Sequence, residues 1–96
     1  MPRMTSPLYE RQWKYFLREY GMLPADYDRW LEAQNYECAI CGTHTEDLPK
    51  ALAVDHNHRT GNVRGLLCGS CNAGLGMFKD DPERLEEAIR YLRERQ

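Results

Sequence analysis

The sequence predicts an α+β architecture: a β hairpin set between helices that precede it and a helix that follows. Three observations lead there. Two short apolar runs, 51–56 and 62–67, are separated by the turn-forming stretch 57–61, the pattern of paired strands. Aromatic and aliphatic residues recur at helical spacing on either side of that pair. Four cysteines fall into two C-x-x-C pairs, Cys38 with Cys41 and Cys68 with Cys71, that bracket the hairpin.

The elements follow in order. A first helix is predicted from Ser6-Pro7, a cap followed by proline at the first helical position, to Gly21, with Tyr9, Trp13, Phe16, Leu17 and Tyr20 on one face. A second runs from Pro24 to Gln34, carrying Tyr27, Trp30, Leu31 and Gln34 at i, i+3, i+4, i+7. The two are expected to pack as a hairpin over the metal-bearing part. Tyr36 to Gly42 is too short for a regular element and reads as a knuckle, with the polar loop 43–50 after it. Residues 51–56 and 62–67 are the strands, and Cys68 to Phe78 is a second knuckle opening into a short helix. Asp81 caps a closing helix that starts at Pro82, marked by Leu85, Ala88, Ile89 and Leu92, with glutamates early and arginines late as the helix dipole favours. The 96 residues therefore read as one domain, 1–96, with N-terminal helices over 7–35, a core over 36–79 and a C-terminal helix over 81–95.

A chain this short buries a small share of its surface, so a staple is expected. Two disulfides would supply one. No apolar leader precedes the cysteines, however, and in a reducing cytoplasm paired C-x-x-C motifs are read as a metal site. Four thiolates close a tetrahedral shell around Zn2+ and leave no open position, so Cys38, Cys41, Cys68 and Cys71 are predicted to hold a structural zinc. No apolar run approaches the roughly 20 residues needed to cross a membrane, and a soluble cytoplasmic protein is expected.

The formal net charge is −2, which argues against nucleic-acid binding by charge alone. The distribution is uneven. Arg59, Arg64 and Lys79 lie near the hairpin, while acidic residues gather in 10–37 and 80–87.

Inside the cysteine frame sits Asp55-His56-Asn57-His58, and Asn72 directly follows the second pair. A carboxylate and an amide oxygen suit Mg2+ or Mn2+, which takes few protein ligands and leaves the rest to water and phosphate. A neutral imidazole is a general base near neutral pH. Side-chain alternation would put His56 and His58 on one face if the strand continues through Asn57. Each residue has a plainer reading: Asp55 capping the turn, Asn72 capping the helix, His58 bracing the zinc loops. Their conjunction in one frame favours chemistry.

The run Ala33-Gln34-Asn35, Cys38-x-x-Cys41, Val54-Asp55-His56-x-His58 and Gly61-x-Val63-Arg64-Gly65-Leu66-Leu67-Cys68-x-x-Cys71-Asn72-Ala73 resembles the phage recombination endonuclease VII family of His-Me finger (HNH-like) nucleases. The resemblance covers roughly residues 33–79. It implies a ββα-metal fold in which Asp55 and Asn72 hold one Mg2+, His56 is the general base and His58 is an additional active-site histidine. It further implies a DNA substrate cut to 5′-phosphate and 3′-hydroxyl ends. Arg64 is expected to clamp phosphate through its bidentate guanidinium.

The leading expectation is thus a Mg2+- or Mn2+-dependent DNA endonuclease, nicking or weakly specific. The acidic cluster Asp80-Asp81, Glu83, Glu86 and Glu87 is expected to be a poor DNA surface. The alternative is a non-catalytic zinc module that binds DNA or a protein partner within a phage machine. Either a monomer or a homodimer is compatible with the sequence.

Overall fold

The computed structural model describes residues 21–95. The first predicted helix and its packing against the second therefore lie outside the described residues. Helix α1 spans Pro24–Ala33, a 3-10 turn covers Thr45–Asp47, strands β1 and β2 are Ala53–His56 and Val63–Leu67, and helices α2 and α3 are Gly69–Met77 and Pro82–Glu94. The two strands form one antiparallel sheet. No described helix is long and apolar enough to cross a membrane.

The local signals act where the sequence places them. Pro24 opens α1, and the Asp26 carboxylate accepts the Leu23 N–H at 2.9 Å, a donor that the helix itself leaves unmatched. Asp81 caps α3 by accepting the Glu83 N–H at 2.9 Å. Helices α1 and α2 are followed by the same backbone device, two successive left-handed residues: Asn35 and Tyr36 after α1, Lys79 and Asp80 after α2. The N–H of Tyr36 returns to Leu31 at 2.8 Å and that of Asp80 to Leu75 at 2.8 Å, satisfying carbonyls at the helix end.

Met22, Tyr27, Leu31, Leu52, Val54, Leu66 and Leu67 form the buried core together with Cys38 and Cys68. This core lies at the base of the hairpin, where β1 begins and β2 ends. Two polar contacts tie α1 to it. The Tyr27 hydroxyl donates to the Leu52 carbonyl at 2.6 Å. The Gln34 amide behaves as a short piece of strand along the outer edge of β2, accepting from the Leu66 N–H at 2.8 Å and donating to its carbonyl at 3.0 Å. Gln34 was expected to continue the apolar stripe of α1; it instead follows the last helical residue and satisfies the sheet edge. Helix α3 buries none of its residues, so its stripe marks a helix without marking a core contact among the described residues.

Candidate active site and zinc centre

The Cys38–Cys41 knuckle is closed by backbone bonds. Cys38 N–H donates to Thr43 O at 3.0 Å and Gly42 N–H to Cys38 O at 3.0 Å, with Gly42 in the left-handed region that the turn needs. His44 accepts the Glu46 N–H through Nδ1 at 3.1 Å and starts the 3-10 turn, which gives it a structural task outside the metal centre. Cys68 caps α2, its sulfur accepting the Cys71 N–H at 3.4 Å.

All four Sγ atoms lie within 4.8 Å of one another, and those of Cys41 and Cys68 are 3.8 Å apart. Tetrahedral zinc with Zn–S bonds near 2.3 Å needs sulfurs about 3.8 Å apart. The donor set therefore fits zinc. The cysteines are free thiols, so the two-disulfide reading is set aside. Their environment favours thiolate at Cys38 and at Cys41, where the Thr43 hydroxyl lowers the pKa, and resists it at Cys71. Burial pushes the Cys38 thiol up, but N–H groups of Cys68, Cys41 and Ile40 outweigh it and hold it at about 6. Burial, followed by the three neighbouring thiols, pushes Cys71 up to about 12. A divalent cation relieves that crowding of charge by taking all four as thiolates.

At the other end of the hairpin the register slips. Asp55 pairs with Gly65 but His56 pairs with Val63, which leaves Arg64 as the extra residue of a bulge. In regular pairing Arg64 would oppose His56 and point away from Asp55. Bulges re-aim side chains, and here the guanidinium reaches the Asp55 carboxylate through two bonds, Nε at 2.8 Å and Nη2 at 3.0 Å. Nη2 also lies 3.4 Å from Asp80 Oδ2. The hydrogen bond that Arg64 donates to Asp55 is the main reason that the Arg64 pKa rises above its usual value, aided by the charges of Asp55 and Asp80 against some desolvation. Asp80 extends the chain of contacts to His58, whose Nε2 is 3.6 Å away.

His56 and His58 come together with ring centroids 4.7 Å apart. They do so by a different route from the one expected. Strand β1 ends at His56, and Asn57 turns the chain rather than continuing it. The Asn57 side-chain oxygen accepts the N–H groups of Arg59 at 2.8 Å and Thr60 at 3.1 Å, and its backbone brackets the turn through Asn62 and Gly61. This Asx geometry, with Gly61 at φ 79°, folds His58 back beside His56.

The plainer readings of two residues fall away. Asn57 organises the turn, leaving Asp55 free of that task, and Cys68 caps α2, leaving Asn72 free of that one. Asn72 is exposed within α2, its N–H bonded to the Cys68 carbonyl at 2.9 Å, and α2 packs on both strands. No hydrogen bond joins its side chain to Asp55 among the described residues. Asp80, absent from the predicted set, lines an open cleft of about 650 Å³ with His58, Arg59, Arg64, Lys79 and Arg84. Only the position of Asp80 at the end of α2 hinted at it; its contacts span 16 and more residues and leave no periodic trace. The expected acidic surface is also altered, since Asp80 meets Arg64 and His58, and Asp81 meets the Glu83 N–H and Arg84.

This arrangement has relatives. A solved structure described as a ββα-Me type II restriction endonuclease, Hpy99I, is similar with TM-score 0.57 and 32% identity over 86% of this chain and 48% of that one. The gene 59 proteins of Mycobacterium phages D29 and L5 are 45% and 43% identical over 80% and 79% of this chain. The match covers 47% and 46% of their own lengths, so the chain spans about half of the curated relatives. The family profile of recombination endonuclease VII matches residues 13–94. A hairpin braced by clustered cysteines, with aspartate and paired histidines at its tip and a short helix behind, is thus accompanied by similarity along most of the sequence, and the chain belongs to the recombination endonuclease VII family.

Proposed function

We propose that the chain is a divalent-metal-dependent DNA endonuclease. The observation that carries this is the convergence of Asp55, His56 and His58 at the hairpin tip, beside a helix whose first turn is pinned by Cys68 and carries Asn72, in a member of this family. DNA as the substrate is supported by the family description and by the restriction activity named for Hpy99I.

Asp55 and Asn72 are the residues that would hold Mg2+ or Mn2+, and both donate hard oxygen. Each Asp55 oxygen accepts one Arg64 bond and keeps a further lone pair, so the ion pair leaves acceptor capacity on the carboxylate. A divalent ion held there supplies Lewis-acid stabilisation of the phosphate and the departing oxygen. His56 takes the proton of the attacking water. His58, tilted against His56 and facing Asp80, assists on the phosphate or leaving-group side. Arg64 reaches phosphate from the cleft, with Asp55 and Asp80 setting its orientation. The zinc centre takes no part in the reaction; it fixes where α2, and hence Asn72, stands.

Plasmid relaxation tests the reading. Wild type should nick supercoiled plasmid with Mg2+ or Mn2+ and stop when the ion is withheld. His56→Ala should lose about 10²- to 10⁴-fold in rate, with zinc content and circular dichroism preserved. Equal cutting by His56→Ala, or no cutting by wild type with either ion, would leave the non-catalytic zinc module as the better description.

A further inference from the structure

The cleft at the hairpin tip holds more positive charge than this reaction uses. Asp80 is matched by Arg64 at 3.4 Å and faces His58 at 3.6 Å. Asp81 accepts the Glu83 N–H and pairs with Arg84 at 3.4 Å. With both carboxylates engaged, two cations of the cleft remain, Arg59 and Lys79, whose side chains have no ion-pair or hydrogen-bond partner among the described residues. They stand at related places. Arg59 follows His58 and Lys79 precedes Asp80, and the His58–Asp80 contact joins the two segments across the cleft. The unmatched cations are therefore the sequence neighbours of the two residues in that contact, and both line the cleft.

The backbone at Lys79 supplies a second observation. Lys79 and Asp80 both sit in the left-handed region, at φ 60° and 54°. A residue with a Cβ is disfavoured there, and glycine would do the same work without that cost. At the equivalent place after α1 the first residue is Asn35, whose side chain tolerates this region. Lysine has no such tolerance. The same conformation is taken by Tyr36 after α1; what differs after α2 is the consequence, since the turn holds the Asp80 carboxylate on Arg64 and puts Lys79 on the lining of the cleft.

We propose that Arg59 and Lys79 form a two-point clip for the DNA sugar–phosphate backbone next to the bond cut at the hairpin tip; the assignment rests on the nuclease reading above. Cations on phosphate fix the position of the strand and carry no base information. The clip thus holds DNA of any sequence, and it gives an acidic protein a local means of gripping a polyanion that its net charge of −2 does not provide.

The test is the salt dependence of binding, measured by anisotropy of a short labelled duplex on zinc-loaded His56→Ala protein with no added divalent ion. Each phosphate contact contributes about 0.9 to the slope of log K against log salt. Adding Arg59→Gln and Lys79→Gln should reduce that slope by about 1.8. A control with the same charge change at exposed positions off the cleft, Lys50→Gln with Arg93→Gln, should lower it by less than half as much. The exchange Arg59→Lys with Lys79→Arg should keep the parental slope, and it serves as the decisive variant if the glutamine pair fails to retain zinc. An unchanged slope in the glutamine pair, an equal loss in the control, or a lost slope in the exchanged pair overturns the clip. If wild type nicks plasmid while the clip fails, the nuclease reading stands alone; if the parent neither binds duplex nor, with His56 restored, nicks plasmid, both fall.

Discussion

The two ends of one short hairpin are built on opposite principles. At the base, Val54, Leu66 and Leu67 meet α1 and the thiols of Cys38 and Cys68 in the buried core. At the tip, His58 is 72% exposed and the contacts are ion pairs and an Asx turn. The base obtains its shape from burial and from four sulfurs that need one cation. The tip obtains its shape from a bulge, two left-handed residues and a guanidinium shared between two carboxylates. Apolar burial is concentrated at the base, and the residues proposed to be catalytic stand at the tip, where His58 is the most open of them. Each perturbation below asks how far the tip depends on the base.

The largest effect is expected from Cys68→Ser. Serine is a good helix cap, so the substitution keeps the capping oxygen for the Cys71 N–H and removes the soft metal ligand. Zinc binding of this kind contributes on the order of 10 kcal/mol to folding, more than a small domain holds in reserve. The variant should lose bound zinc and its cooperative unfolding transition, and strong chelation should do the same to wild type. A folded, zinc-free Cys68→Ser protein would show that the apolar core suffices and that the thiols are dispensable.

What the sequence revealed about this division follows from distance along the chain. Pro24, the Asp81-Pro82 cap, the 57–61 turn and both C-x-x-C pairs act within a few residues, and each was legible. The convergence of the two pairs was also legible, because a closed tetrahedral metal site takes four thiolates at one ion. The Arg64 bulge was not, since a register slip depends on which residue lies opposite and both alignments preserve the apolar pattern. Nor was the role of Gln34, which meets Leu66 across 32 residues; a polar side chain in an apolar stripe does not announce its partner. Asp80 was read as surface acidity for the same reason.

Gln34 gives the intermediate test. Its amide satisfies the edge of β2 at Leu66 and also donates to the Glu37 carbonyl at 2.8 Å. A Cβ on Gly65 would stand 3.3 Å from its Oε1, so the sequence beside it is fitted to that approach. Gln34→Ala leaves the Leu66 N–H without its protein acceptor at a part-buried position and should cost about 1–3 kcal/mol. Urea unfolding of the zinc-loaded protein should show a lower midpoint at unchanged slope. An unaltered midpoint would mean that water replaces the amide at the edge and that α1 is held by Tyr27 and Leu31 instead.

The smallest effect is also the sharpest probe of the division. Helix α2, GSCNAGLGM, contains three glycines in nine residues and buries none of its side chains, a poor helix by intrinsic preference. It stands because Cys68 and Cys71 fix its first turn and because it packs on the hairpin. Gly74 has ordinary helical backbone, and a Cβ there would meet nothing within 4 Å. Gly74→Ala should therefore stabilise the zinc-loaded protein by about 0.5–1 kcal/mol, read as a raised urea midpoint. Because the substitution strengthens the helix without touching the metal, the gain should persist when the protein is unfolded at different free zinc concentrations. A loss of stability would instead mean that Gly74 serves a close approach in solution. The tip would then depend on a flexible α2, and the zinc frame would be anchoring a helix that has to yield.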